Sequence, residues 1–190
     1  MKKVLLVGAL ALFGAVSAQT EKGTWMVSGK SEISFNSVNT KVKYDGTELG
    51  EDKTSTFTFS PSASYFVINN LAVGLGLSYV HTKNEDVKSD TFVAMPQATY
   101  FFDTPGNVKP YFEAGIGYAS NTMSDGDDEV KADGLAYGAG LGVAYFINPS
   151  VAFNLGLNYS GANLQYSEDS KVKTDISTLG VGAGVSVFFK

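Results

Sequence analysis

The residues from Thr54 to Phe66, TSTFTFSPSASYF, alternate strictly between two kinds of side chain. Phe57, Phe59 and Tyr65 share one face with a proline and an alanine, whereas the intervening positions carry only threonine and serine. A period of two is typical of a β-strand, because successive side chains point to opposite faces. The stretch therefore predicts a strand with one bulky face, one small polar face and no charge on either.

Seven further segments show the same alternation, and no segment after residue 20 has a helical period. In them, bulky apolar residues alternate with glycine, alanine, serine, threonine or asparagine more often than with charged residues. They are Trp25–Phe35, Leu71–Tyr79, Phe92–Tyr100, Pro110–Tyr118, Leu135–Tyr145, Val151–Tyr159 and Leu179–Phe189. The sequence predicts an all-β chain of eight strands.

The connections between these strands alternate in length. Three are short and rich in turn-forming residues, namely Val67–Asn70, Asp103–Asn107 and Ile147–Ser150. Four are long and polar, namely Asn39–Lys53, Thr82–Asp90, Ser120–Asp133 and Gly161–Lys173. This pattern predicts an antiparallel up-and-down sheet with short turns at one end and longer loops at the other.

The bulky face could point into a soluble, lipocalin-like barrel or out towards lipid. A soluble barrel needs a charged outer wall, but residues 54–66, 71–80, 91–102, 134–147 and 151–163 contain no charged residue. Lipid would cover a bulky apolar face, and closure of the sheet would leave no unpaired edge in hydrocarbon. Each segment also has the roughly 9–11 residues that a tilted strand needs to cross a membrane. We therefore predict a transmembrane barrel with its small side chains inside.

Aromatic residues gather near the strand ends, as expected for girdles at the two membrane interfaces. We assign to these girdles Tyr65, Phe66, Tyr79, Tyr100, Phe101, Phe102, Tyr111, Phe112, Tyr118, Tyr145, Phe146, Tyr159, Phe188 and Phe189.

Residues 1–18 read as a secretory signal peptide, followed by one barrel domain over residues 19–190. Lys2 and Lys3 precede the apolar run Val4–Val16, which is too short to span a membrane, and Val16-Ser17-Ala18 offers a cleavage site. Without the first 18 residues the chain keeps 12 Lys against 19 acidic residues, a charge of −7. The long connections, counted with the flanking Asp175, carry 8 Lys and 15 acidic residues, which accounts for that charge. There is no Arg, which argues against nucleic-acid binding.

The whole mature chain resembles the small porin-like outer-membrane β-barrels of the OmpX and OmpW type. The resemblance rests on the signal peptide, on KPYFEAGIGYA from Lys109, on GAGLGVAYFIN from Gly138 and on the last strand, LGVGAGVSVFFK. It implies an outer-membrane location, contact with outer-membrane lipid and lipopolysaccharide, and recognition of Val185, Val187 and Phe189 by the barrel-assembly machinery. Lys190 departs from the family pattern, in which the aromatic residue is last.

Three inward positions carry charge: Lys30, Glu32 and Glu113. An unpaired charge inside a barrel is costly, so we expect Lys30 to pair with Glu113 across the lumen or with Glu32 along its own strand. Glycines crowd the same face. They suit the tight curvature of a small barrel, and a narrow wet lumen is the alternative.

Two sites of possible chemistry are considered. His81 is the only histidine and lies near Ser78, Ser89 and Asp90, as in barrel enzymes that modify lipids, but no nucleophile motif accompanies it. The acidic run Asp125, Asp127, Asp128 and Glu129 could hold Ca²⁺, but it lacks the EF-hand pattern. We interpret both as solvated loops, and expect no catalytic residue, cofactor or resident metal.

The sequence thus favours a monomeric, non-enzymatic surface protein of the outer membrane with at most narrow passive permeation. The alternatives are a small-solute channel and, less favoured, a lipid-modifying enzyme that uses His81.

Overall fold

The computed structural model describes residues 20–34, 43–44, 47–48, 54–84, 87–125, 128–166 and 173–190. The predicted signal peptide lies outside these residues. The described residues contain no helix that is long and apolar enough to cross a membrane.

Eight long strands form a closed antiparallel barrel, which confirms the predicted fold. They are β1 (Trp25–Ser34), β4 (Thr54–Ile68), β5 (Leu71–Asn84), β6 (Val87–Phe101), β7 (Val108–Asp125), β8 (Asp128–Asn148), β9 (Val151–Tyr166) and β10 (Lys173–Phe189). Two short strands between β1 and β4, β2 (Lys43–Tyr44) and β3 (Thr47–Glu48), form a separate sheet. Each barrel strand pairs with its neighbours in sequence, and β10 closes on β1.

The three short turns lie where the sequence places them. The turn after β4 contains Asn70, whose φ of 68° is in the left-handed region, and the connection after β6 contains Gly106, with a φ of 89°. Asparagine and glycine are the residues that adopt this conformation at least cost. These turns fix one end of the barrel, which is the periplasmic end of the predicted architecture.

At the other end the strands run further than the sequence predicts. Most of Thr82–Asp90 and Ser120–Asp133 belongs to paired strands, with only residues 85–86 and 126–127 left between them. Charged residues in this part of the chain mark where the apolar wall ends, but alternating Thr, Ser, Lys and Asp continue the backbone ladder into water.

The bulky face points outward on every barrel strand with described side chains, as predicted. Most large apolar residues on this face keep between a third and three fifths of their surface exposed, up to 59 % for Leu141. Two aromatic pairs of the outer wall lie at the periplasmic end, with ring centroids 5.2 Å apart for Trp25 and Tyr65 and 5.2 Å for Tyr100 and Phe102. This band is the expected interfacial girdle. A third outer pair, Tyr137 and Tyr159, lies further towards the other end, with centroids 6.5 Å apart.

The girdle assignment is wrong for five aromatic residues, which are buried inside the barrel: Phe66, Phe101, Tyr111, Phe146 and Phe188. Period two explains the error, because each lies next to an outward residue, as Phe66 follows Tyr65 and Phe188 precedes Phe189. A cluster of aromatic residues at a strand end must divide between the two faces.

Candidate functional site

An aromatic plug closes the periplasmic end of the barrel. It consists of Phe66, Phe101, Phe146 and Phe188, together with Tyr111. Ring centroids lie 5.0 Å apart for Phe146 and Phe188, 5.9 Å for Phe66 and Phe101, and 5.8 Å for Phe101 and Tyr111. These separations are typical of packed aromatic pairs.

The four phenylalanines lie at or near the periplasmic ends of the descending strands β4, β6, β8 and β10, of which the first three lead into the short turns. Each backbone N–H is fixed by a carbonyl outside the regular ladder: Phe66 by Thr24 at 2.9 Å, Phe101 by Asn70 at 2.8 Å, Phe146 by Asn107 at 2.7 Å and Phe188 by Ser150 at 2.8 Å. The three turns, together with Thr24 just before β1, therefore hold the plug in place.

Above the plug, an ion pair crosses the lumen. Lys30 Nζ of β1 donates to Glu113 Oε1 of β7, and each side chain is 17 % exposed. β1 and β7 are four strands apart in either direction round the barrel, so the pair joins opposite walls. Lys30 Nζ also lies 5.6 Å from the centre of the Tyr111 ring, which couples the pair to the plug. Of the two partners predicted for Lys30, the structure thus shows Glu113; the side chain of Glu32 is not among those described.

Hydrogen bonds fill much of the remaining polar interior. Ser28 Oγ and Ser186 Oγ lie 2.7 Å apart, and Asn154 Nδ2 donates to Ser186 Oγ at 2.6 Å. The cavity among these groups, Lys30 and Glu113 is about 10 Å³, which is room for about one water molecule. This part of the lumen is packed rather than open.

His81 lies on the outer wall near the extracellular rim. Its Nδ1 is 2.8 Å from Asp90 Oδ1, which also accepts a 2.5 Å bond from the Tyr79 hydroxyl. These hydrogen bonds, first that of Tyr79 and then that of His81, hold the pKa of Asp90 below its ordinary value.

The serines near His81 in sequence point the other way. Ser78 Oγ lies 2.9 Å from Ser60 Oγ inside the barrel, and Ser89 Oγ accepts from Asn121 Nδ2 at 2.8 Å. Because alternate residues face opposite sides of a strand, neither serine can reach the imidazole of His81 on the outer wall.

The acidic run lies at the tip of the β7–β8 hairpin. Asp125 pairs in register with Asp128, and Ser124 with Glu129, whereas Asp127 lies outside the described residues. Among the described residues, no three His, Cys, Asp or Glu side chains are placed to hold a metal ion. The side chains of Asp125, Asp128 and Glu129 are not among those described, so the calcium site stays a prediction.

The predicted assembly signal lies on the strand that closes the barrel. Val185 and Phe189 are exposed on the outer wall, and β10 pairs with β1 through Val187–Val27 and Phe189–Trp25. Lys190, which follows, forms an exposed ion pair of 3.4 Å with Glu21.

Comparisons with known proteins agree with this architecture. Residues 4–184 match the family model described as outer membrane protein beta-barrel domain. Neisserial surface protein A superposes with a TM-score of 0.61 at 21 % identity, over 88 % of this chain and 98 % of that one. The N-terminal barrel of Pseudomonas aeruginosa OprF gives a TM-score of 0.57 at 18 % identity, over 88 % and 98 % of the two chains. No curated protein sequence matches the chain.

Proposed function

Because this chain belongs to the family of outer membrane protein β-barrel domains, we propose that it is a non-enzymatic, surface-exposed barrel of the outer membrane that is closed to solutes. It acts as a monomer, and its outer hairpins contact ions, lipopolysaccharide or other cells. The observation that carries this proposal is the packed lumen, in which the aromatic plug lies beneath the Lys30–Glu113 pair.

The non-enzymatic role is supported by the outer wall around His81. An imidazole held by Asp90 lacks a neighbouring hydroxyl nucleophile in Ser78 or Ser89, since both serines face the lumen. Hydrolysis through a serine needs nucleophile and base within hydrogen-bond reach.

Contact with the assembly machinery is part of the same proposal. The outward side chains of Val185, Val187 and Phe189 form an apolar face on the last strand, which is accessible before β10 pairs with β1. This face is the surface to which a chaperone or insertase would bind.

Planar-bilayer conductance tests closure. The native protein should give no stepwise openings, whereas Phe146→Ala/Phe188→Ala, which removes two rings from the plug, should give small ones. Phe102→Ala, on the outer wall, is the matched control and should stay silent. Stepwise openings of the native protein would instead favour the small-solute channel.

A further inference from the structure

A four-residue motif, Val-Lys-x-Asp, recurs once in each outer connection of the chain. It occurs at residues 42–45, 87–90, 130–133 and 172–175. The first copy coincides with the separate β2–β3 sheet and lies partly outside the described residues. The other three lie at the start of descending strands: Val87 is the first residue of β6, Val130 is the third residue of β8, and Lys173 is the first residue of β10.

In these three copies, the lysine and the aspartate occupy the alternate positions that continue the outward apolar face. Lys88 and Asp90 precede Phe92 on β6, and Lys131 and Asp133 precede Leu135 on β8. The third copy, Lys173 and Asp175, leads in the same parity to the exposed Leu179 of β10. The motif therefore lies directly above the apolar wall on three strands.

Two of the aspartates are tied to tyrosines in the same way. Asp90 accepts from Tyr79, and Asp133 is hydrogen-bonded to Tyr118. In each case the tyrosine is on the preceding strand, opposite the residue two positions after the aspartate. The repeat is thus one of structure as well as sequence.

The register places the copies at a common depth. If one starts at Met26 and steps from each residue to its partner on the next strand, from β4 round to β10, the last partner is Thr178. Met26 also pairs directly with β10, but there its partner is Phe188, ten residues further along the strand. A row of paired residues that runs perpendicular to the tilted strands is therefore displaced along the strands by ten residues in one circuit of eight strands. This displacement is about two and a half residues for every second strand.

The motif offsets this climb. The ladder from Asp90 crosses β7 and reaches Lys131, two residues before Asp133. The ladder from Asp133 crosses β9 and reaches Lys173, two residues before Asp175. The three copies therefore form an arc on every second strand at nearly one height above the membrane core.

A partner that contacts β6, β8 and β10 at the same depth has to surround this side of the barrel as a layer. The lipid headgroups of the outer leaflet form such a layer. Lysine is the outermost charge of each copy, and Lys88 and Lys131 are both exposed. Phosphate is the anionic group of lipid headgroups that lysine binds as a point charge.

We propose that Lys88 and Lys131, on the arc that the three copies trace, form a phosphate-binding site for the headgroups of outer-leaflet lipid. This inference rests on the proposed surface role in the outer membrane and names its lipid partner. Asp90 and Asp133 hold the outer tyrosines and keep each lysine above the apolar wall.

The test is retention of diphosphoryl lipid A by the purified full chain in detergent, measured by native mass spectrometry against the phosphate-free lipid. The native protein should retain the diphosphoryl form at least tenfold more tightly. Lys88→Gln/Lys131→Gln should weaken its retention about thirtyfold, from about fivefold per lysine near a charged surface. The matched control, Lys22→Gln/Lys190→Gln at the periplasmic end, removes the same charge and should change retention by less than about twofold.

Equal retention of both lipids by the native protein would overturn the proposal without any variant, as would an equal loss in the control. Neither result bears on bilayer conductance, so failure of the lipid site and failure of the closed-barrel function are distinguishable.

Discussion

The ion pair across the lumen gives the sharpest energetic prediction. We expect Lys30→Met and Glu113→Gln each to destabilise the barrel, and the double variant to lose much less than the sum of the two. Either single change leaves a polar or charged group facing a packed interior without its partner, whereas the double change leaves two neutral side chains of similar size.

The magnitude follows from the burial of the pair. Exposed ion pairs contribute about 0–1 kcal/mol, and removing one partner from a buried pair costs about 3–5 kcal/mol. Both side chains are 17 % exposed beside a cavity that holds about one water, which places the single variants near the lower end of the buried range. We expect a loss of about 2–4 kcal/mol for each and a coupling energy of about 1–3 kcal/mol.

The assay is reversible urea unfolding in lipid bilayers, followed by tryptophan fluorescence and by heat-dependent gel mobility. Lys190 and Glu21 provide the control cycle, since their 3.4 Å pair is 43 % and 58 % exposed and should couple by less than about 0.5 kcal/mol. A coupling energy for Lys30 and Glu113 no larger than that of the control pair would refute the reasoning.

Three further predictions concern packing and pH. Gly74→Ala should destabilise the barrel by about 1–3 kcal/mol, because a Cβ there would lie 2.1 Å from a backbone oxygen of β4, whereas Gly29→Ala, with nothing within 4 Å, should not; urea unfolding compares them. Phe188→Ala should cost about 3–5 kcal/mol in the same assay, as expected for a fully buried ring, and a loss below about 1 kcal/mol would show that the plug is loosely packed. Because the hydrogen bonds from the neighbouring tyrosine and histidine lower the pKa of Asp90, its stabilising effect should be complete above the ordinary aspartate pKa of about 3.9 and disappear as pH falls through the lowered value. The stability difference between the native protein and Asp90→Asn should therefore shrink below about pH 4, and a difference that instead grows there would contradict this.

The two faces of the sheet could be predicted from sequence because period two is local. The pairing of Lys30 with Glu113 was also within reach, since eight strands in a meander place the first and fifth barrel strands on opposite walls. The plug was missed although its signal was present: in Tyr65-Phe66, Tyr100-Phe101 and Tyr145-Phe146 the parity of each strand puts the second ring inside.

Other features depend on register, which sequence alone does not specify. The contact of Tyr79 and His81 with one carboxylate requires β5 and β6 to stay paired as far as Asn84 and Val87, in a part of the chain where the sequence predicts a long loop. The common depth of the Val-Lys-x-Asp copies depends on the stagger of the whole barrel, because each strand adds to the climb of the ladder.

The central claim is that lipid covers the bulky wall of the barrel. The chain has no Cys, so nitroxide labels can be placed singly at Leu141, Leu155 and Leu179, which are 59 %, 55 % and 58 % exposed. In reconstituted bilayers, electron paramagnetic resonance should show frequent collisions with oxygen, which concentrates in hydrocarbon, and few with a water-soluble nickel chelate. Frequent nickel collisions at all three positions would mean that this wall faces water, and the account would be wrong.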